Sequence, residues 1–273
     1  MNPPKSRSRQ RTFSPRLPAN ASVKLVGLGG VGGILARYVS VFLHSLGQEV
    51  RLVLIDGDSF EHSNSTRMVF SDFGNKAAVM RQELLGRFPD SALTVVAVEE
   101  YVTAENIGRL IHPGDICLLA VDNHATRKLV NDHCANLADI CLVSGGNDGA
   151  GPDSSGTVRR GTFGNVQAYV RCDGKDRSYP LTRNHPEIQH PADRLPTDLN
   201  CTELIASVPQ ILFANLAVAS AMLNVLWLYL CTELHYGELA FDIADGLMRP
   251  VVQLDQPAGP GVETEPDEVA ANI

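Results

Sequence analysis

A chain of 273 residues, 44% hydrophobic and 20% charged, can bury a substantial core without disulfide or metal staples. Its net charge of −8 excludes general nucleic-acid binding, which needs basic surface to displace counterions from phosphates. The basic N-terminus has no apolar run behind it, and six cysteines without a secretory signal read as reduced thiols, so a cytoplasmic location is expected.

Residues 1–20 hold Lys5, Arg7, Arg9, Arg11 and Arg16 with no acid, and predict a flexible basic arm. Residues 23–28 predict a short apolar strand running into Gly29, and 31–46 a helix closed by Gly47, the residue expected just past a helix end. A second strand is expected over 50–55, ending at Asp56, and a helix over 76–87, stopping before Pro89. Strands over 93–98 and 116–121, a helix over 124–137 and a strand over 140–144 continue the rhythm. Such alternation implies βαβ units: an α/β, Rossmann-like fold, its sheet mostly parallel with helices on both faces. Past Gly145 the texture changes to shorter strands over 157–162 and 165–171, the start of a mixed C-terminal extension. The connection 172–202 is polar and punctuated by Pro180, Pro186, Pro191 and Pro196; so long a connection is usually functional or disordered.

Residues 211–230 are almost wholly apolar and close to the ~20 residues that span a bilayer. Asn215, Ser220 and Asn224 interrupt the run, so a core or dimer-interface helix is expected and no membrane. A last strand follows over 239–243, and 255–273 reads as a disordered acidic tail. The expected organisation is therefore an arm over 1–20, one domain over 21–254 and the tail.

Three clusters carry chemistry. Gly27-Leu28-Gly29-Gly30-Val31-Gly32-Gly33 lies between a strand and a helix, where glycines let backbone approach a phosphate and the helix N-terminus offers N–H groups. Alone it would serve NAD, FAD or ATP equally, or simply tight packing. Asp56-Gly57-Asp58 ends the second strand, where a dinucleotide fold holds ribose hydroxyls. A dehydrogenase needs one acid there. Two acids followed by Asn64, Arg67 and Lys76 suit ribose plus Mg²⁺, with cations for triphosphate charge and a leaving pyrophosphate. Asp122-Asn123 ends the fourth strand, with Arg127 beyond it; either residue could cap the next helix, and Asp122 could supply a further Mg²⁺ oxygen.

The spaced set Asp56-x-Asp58, Asn64, Arg67, Gly74-Asn75-Lys76 and Asp122-Asn123 resembles the ThiF/MoeB family, bacterial relatives of the ubiquitin-activating enzymes. The resemblance runs over 22–145 and more loosely over 199–230. It implies that Gly27, Gly29, Gly30 and Gly32 cradle ATP, that Asp56 holds the ribose, and that Asn64, Arg67 and Lys76 hold phosphates. Asp122 would hold Mg²⁺, with Asp58 and Asn123 beside the nucleotide. It also implies a homodimer in which an N-terminal arginine (Arg9, Arg11 or Arg16) reaches the partner subunit's ATP. The expected activity is adenylation of the C-terminal carboxylate of a ubiquitin-like β-grasp protein, with a conjugating-enzyme-like acceptor downstream. Adenylation of a small-molecule or tRNA-linked group and an inactive nucleotide-binding scaffold are the alternatives.

The chain departs from the family pattern at Met68, where glutamine often follows the arginine, and in lacking paired Cys-x-x-Cys motifs, so no structural zinc is expected. Cys172, His185, His190 and Cys201 could form a metal site only on paper. Cys201 directly precedes the apolar helix, whose dipole would lower a thiol pKa and favour attack on an acyl-adenylate. Cys172 is its competitor as nucleophile, and plain burial is the bland alternative.

Overall fold

The computed structural model describes residues 13–62, 68–152, 156–198 and 210–260. Strand β1 (Ser22–Val26) leads into helix α1 (Gly30–Ser45) and strand β2 (Val50–Ile55). A two-residue pair, β3 (Ser59–Phe60) and β4 (Gly74–Asn75), brackets the excursion before α2 (Lys76–Arg87) and β5 (Leu93–Val98). The second half-unit runs through α3 (Ile107–Leu110), β6 (Ile116–Leu119), α4 (His124–Cys134) and β7 (Ile140–Asn147). A small hairpin, β8 (Ala150–Pro152) with β9 (Val158–Arg160), precedes β10 (Phe163–Cys172) and β11 (Lys175–Asp176). The chain then passes through α5 (Pro186–Gln189) to α6 (Leu212–Leu230), β12 (Leu234–Asp242) and β13 (Leu247–Ala258).

Among the described residues, nine strands form one sheet in the order β13-β12-β10-β7-β6-β1-β2-β5, with β11 beside β10. The pairs from β5 to β7 are parallel, and those from β7 to β13 are antiparallel. Alternate residues feed two cores, because successive strand side chains point to opposite faces. Leu25, Leu54 and Leu118 face α1, α2 and α6, whereas Val26, Ile55 and Leu119 face α3 and α4. Strands β2 and β5 are mostly apolar, each broken by one exposed polar residue, Arg51 or Thr94, and bounded by polar turns, so 50–55 and 93–98 are legible to the residue.

Four expectations need correction. The expected arm is pinned from Phe13: its ring stacks on Trp227 at 5.1 Å, and the Arg16 N–H donates to the Leu230 carbonyl. The connection after Cys172 packs as far as residue 198, with Leu181 and Ile188 buried in the second core. The strand expected over 239–243 begins earlier, at Leu234, and is not the last. Strand β13 follows it and includes 255–258, the start of the expected tail. It is an edge strand whose mostly exposed residues and Pro250 leave no hydrophobic alternation to read.

Helix α6 is long and apolar enough to cross a bilayer by length and composition. In the fold it lies along α1 and across β7 and β10, burying Ala214, Val218, Met222, Val225 and Leu226. Each such larger side chain contributes roughly 1.5–3 kcal/mol.

Candidate active site

The strand order turns back on itself at β1: β2 and β5 lie to one side, β6 and β7 to the other. Ligands of open α/β sheets bind beyond the strand ends at such a switch point. Here β1 ends at Val26, two residues short of the expected strand, because Gly27 takes φ +85°, and a side chain there would also strike the Ala120 carbonyl 2.8 Å away. A Cβ on Gly32 would sit 1.8 Å from the Gly27 carbonyl, so helix and turn meet backbone to backbone. The α1 N-cap, Gly29, provides no capping side chain. The first-turn N–H groups of α1 are therefore left to a ligand.

Asp56 sits beside this turn, 7% exposed. One carboxylate oxygen accepts the Leu28 N–H and the other accepts the Asp58 N–H at 2.8 Å. Burial pushes its carboxyl above the ordinary range, against the opposing pull of Lys76 and the two N–H groups. Asp58 is half-exposed and joins the buried Lys76 ammonium at 3.0 Å. Asn75, not predicted as a site residue, fixes this geometry. Its Oδ1 caps α2 by accepting from Ala77 and Ala78, while its Nδ2 donates to the Asp56 carbonyl at 2.9 Å. The Lys76 N–H then reaches the Asp58 carbonyl at 2.9 Å.

Tyr101 was missed altogether. Its hydroxyl donates to Asp58 and its ring covers Gly57. Burial, the Asp58 hydrogen bond and the carboxylates of Asp58, Asp56 and Asp122 all raise its pKa. Its contact with Asp58 places Tyr101 at the mouth of the site; no sequence pattern pointed to it.

At the end of β6 the two candidate caps divide their roles. Asn123 caps α4, its Oδ1 accepting from Thr126 at 2.7 Å, whereas Asp122 stays exposed outside the helix. Asp193, from the connection after β11, takes the next two donors, His124 N–H at 2.7 Å and Ala125 N–H at 2.8 Å. Arg127 lies buried beneath, donating to Ser144 Oγ, the Val121 carbonyl and the Gly145 carbonyl at 2.7, 2.8 and 2.9 Å. Burial lowers its pKa to about 10, with Asp122 opposing. It ties the ends of β6 and β7 together and so sets where Asp122 stands.

Asn64, Arg67, Cys201, Arg9 and Arg11 lie outside the described residues. Arg37 braces the segment next to the first two, donating to the Gly33 carbonyl, the Val69 carbonyl and Glu83. Cys172 ends β10 just past the Arg171–Ile140 pair, at the opposite end of the strands from Asp122. Six strand positions separate that end from the level of the glycine turn, roughly 20 Å along the strands. Burial and the neighbouring Asp173 and Asp139 carboxylates also raise the Cys172 thiol pKa. It cannot reach an adenylate on this site. Nor can Cys172 join His185, which instead bridges Glu238 at 2.9 Å and Glu187 at 2.7 Å.

The donor set fits a nucleoside triphosphate: an uncapped glycine turn for phosphate, an ammonium at Lys76, and a buried carboxylate at Asp56 for ribose hydroxyls. Asp58 and Asp122 add the hard oxygens that Mg²⁺ takes.

The chain is similar to several known proteins. The chain is 36% identical over 130 residues to the adenylyltransferase and sulfurtransferase MOCS3 of Dictyostelium discoideum, covering 46% of this chain and 29% of that one. It is 33% identical over 130 residues to the SAMP-activating enzyme E1 of Haloferax volcanii, covering 46% and 45%. The matched stretch thus spans less than half of these curated relatives. The crystal structure of E. coli MccB with ATP superposes with a TM-score of 0.61 at 16% identity, covering 89% of this chain and 66% of MccB. That likeness is one of fold. Over residues 17–230 the chain matches the ThiF family model, and it belongs to the ThiF family.

Proposed function

We propose that this protein is an ATP-dependent adenylyltransferase that activates a C-terminal carboxylate, with a ubiquitin-like β-grasp protein as its substrate. The observation that carries this reading is the Tyr101–Asp58–Lys76 chain at the mouth of an uncapped glycine turn. A buried ammonium held by a carboxylate beside a phosphate-binding turn has no task in hydride transfer. It has one in withdrawing charge from a departing pyrophosphate. The names of MOCS3 and the SAMP-activating enzyme support the same chemistry.

In the first step a carboxylate oxygen attacks the α-phosphorus of ATP, and the bond to the bridging oxygen breaks. Pyrophosphate leaves with that electron pair and an acyl-adenylate remains. The α1 first-turn N–H groups bind and orient the phosphates, and Asp56 accepts from ribose hydroxyls. Lys76 meets the charge that develops on the leaving group, with Arg67 and Asn64 assigned to the same phosphates by resemblance. Asp58 and Asp122 would hold Mg²⁺, which when bound supplies charge neutralisation on phosphate oxygens. In the second step the Cys201 thiolate attacks the acyl carbon, expelling AMP and leaving a thioester for a conjugating-enzyme-like acceptor. The protein acts as a homodimer in the cytoplasm.

ATP–pyrophosphate exchange tests the first step. Wild type should exchange in the presence of a β-grasp protein with a free C-terminus, and Lys76→Ala should lose about 10²-fold or more. ATP binding without exchange for any carboxylate tried would leave a nucleotide-binding scaffold. A thiol-labile adduct present in wild type and absent from Cys201→Ala is the expected result for the second step. Exchange with no adduct in either protein would remove the thioester and keep the adenylation.

A further inference from the structure

We propose that Asn215 is a positioning residue for the nucleotide's phosphates, one that ties helix α6 to the glycine-rich turn of α1. This rests on reading that turn as the ATP site. Helix α6 is otherwise apolar along its buried face, where Ala214, Val218, Ala219 and Met222 surround the same layer. Asn215 is 0% exposed, and neither its Oδ1 nor its Nδ2 has a hydrogen-bond partner. Filling space alone would call for leucine or methionine, since a buried amide without partners opposes folding. The amide must be retained for something else.

Its direction says what. A Cβ built on Gly30, the first residue of α1, would lie 2.3 Å from Asn215 Nδ2 and 3.3 Å from Gln210 Oε1. Two carboxamides at the start of α6 therefore close over the residue whose N–H opens the phosphate-binding turn. Nδ2 is a donor, and it adds to the positive end of the α1 dipole, so the pair suits an anion. A phosphate oxygen settling on the first turn beside Gly30 supplies the acceptor that the Asn215 Nδ2 lacks. Phosphate binding is thereby coupled to the base of α6, which in sequence directly follows the stretch bearing Cys201.

The test uses the full chain and compares wild type with Asn215→Leu and Asn215→Asp. Three quantities are read: Tm, the Tm shift on adding Mg-ATP, and KM against kcat in pyrophosphate exchange. The leucine variant should keep or raise Tm, lose most of the ATP-induced shift, and raise KM for ATP about 10-fold with kcat changed far less. The aspartate variant should bind ATP more weakly still, because its charge opposes phosphate. Lower Tm with unchanged KM in both variants would overturn the proposal and make Asn215 a packing residue. If the leucine variant does not fold, Asn215→Ala is read by the same criteria. Wild type lacking both exchange and an ATP-induced shift would instead sink the ATP reading itself.

Discussion

Arg127 illustrates how a residue can belong to a site without touching its ligand. The sequence places it shortly past Asp122, beyond the end of the fourth strand, and assigns it no role of its own. The structure buries it to 7% exposure and spends its guanidinium on Ser144 and two strand-end carbonyls. The planar fork reaches acceptors on two strands at once, which an ammonium cannot do. Arg127→Met should therefore lower stability in urea by about 2–4 kcal/mol, because three buried acceptors lose their donor. Arg127→Lys should recover little of it. Recovery to wild type would mean that charge alone matters at this position. Tyr101 and Asn75 teach the same lesson: their roles come from Asp58 and Asp56, which lie far away in the chain and are adjacent only once the sheet has formed.

At the scale of elements, what the sequence revealed depended on whether burial was two-sided. The central parallel strands and α2 were legible because they bury continuous or periodic apolar faces. Strand β13 was not, because it is an exposed edge strand, and the connection after β11 was not, because polar contacts to distant partners hold much of it. In that connection, His185 bridges Glu187 and Glu238, Asn165 donates to Glu238 at 3.0 Å, and Asp193 caps α4. The Glu238 hydrogen bond, aided by Glu187, raises the His185 pKa against burial. Burial acts to raise both glutamates, yet the His185 hydrogen bond holds each below its ordinary value. The histidine's contribution is thus complete below its unfolded value and lost as pH rises through its folded one. The glutamates' contribution runs the other way and is lost on acidification. Between those limits both charges stand, so His185→Gln should lower Tm most near pH 5.5–6.5, by about 2–4 °C. As pH rises through the histidine's raised folded value the two proteins should converge. A Tm gap independent of pH would assign His185 to packing.

At the scale of the whole molecule, one surface asks for a partner. Leu212, Phe213 and Leu216 on α6 are exposed, as are Tyr38 and Val41 on α1, against which α6 packs. Exposed apolar side chains on two packed helices suit a two-fold interface. The arm adds a geometric argument. Asn215 lies at the glycine turn, but Arg16 is held at Leu230, fifteen residues further along α6 and roughly 22 Å away. Arg16 is therefore badly placed for its own chain's ATP, and if it serves a phosphate the site is the partner's. Complementation tests this sharply. Arg16→Ala and Lys76→Ala should each be impaired as homodimers. Mixed one to one, with exchange of subunits, half the dimers are hybrid, and each hybrid carries one intact Lys76 site facing one intact Arg16. Exchange activity should return to about a quarter of wild type. Phe213→Asp with Leu216→Asp should yield a monomer that cannot be rescued by either variant. Hybrids that form yet stay inactive would show that Arg16 does not act across the interface.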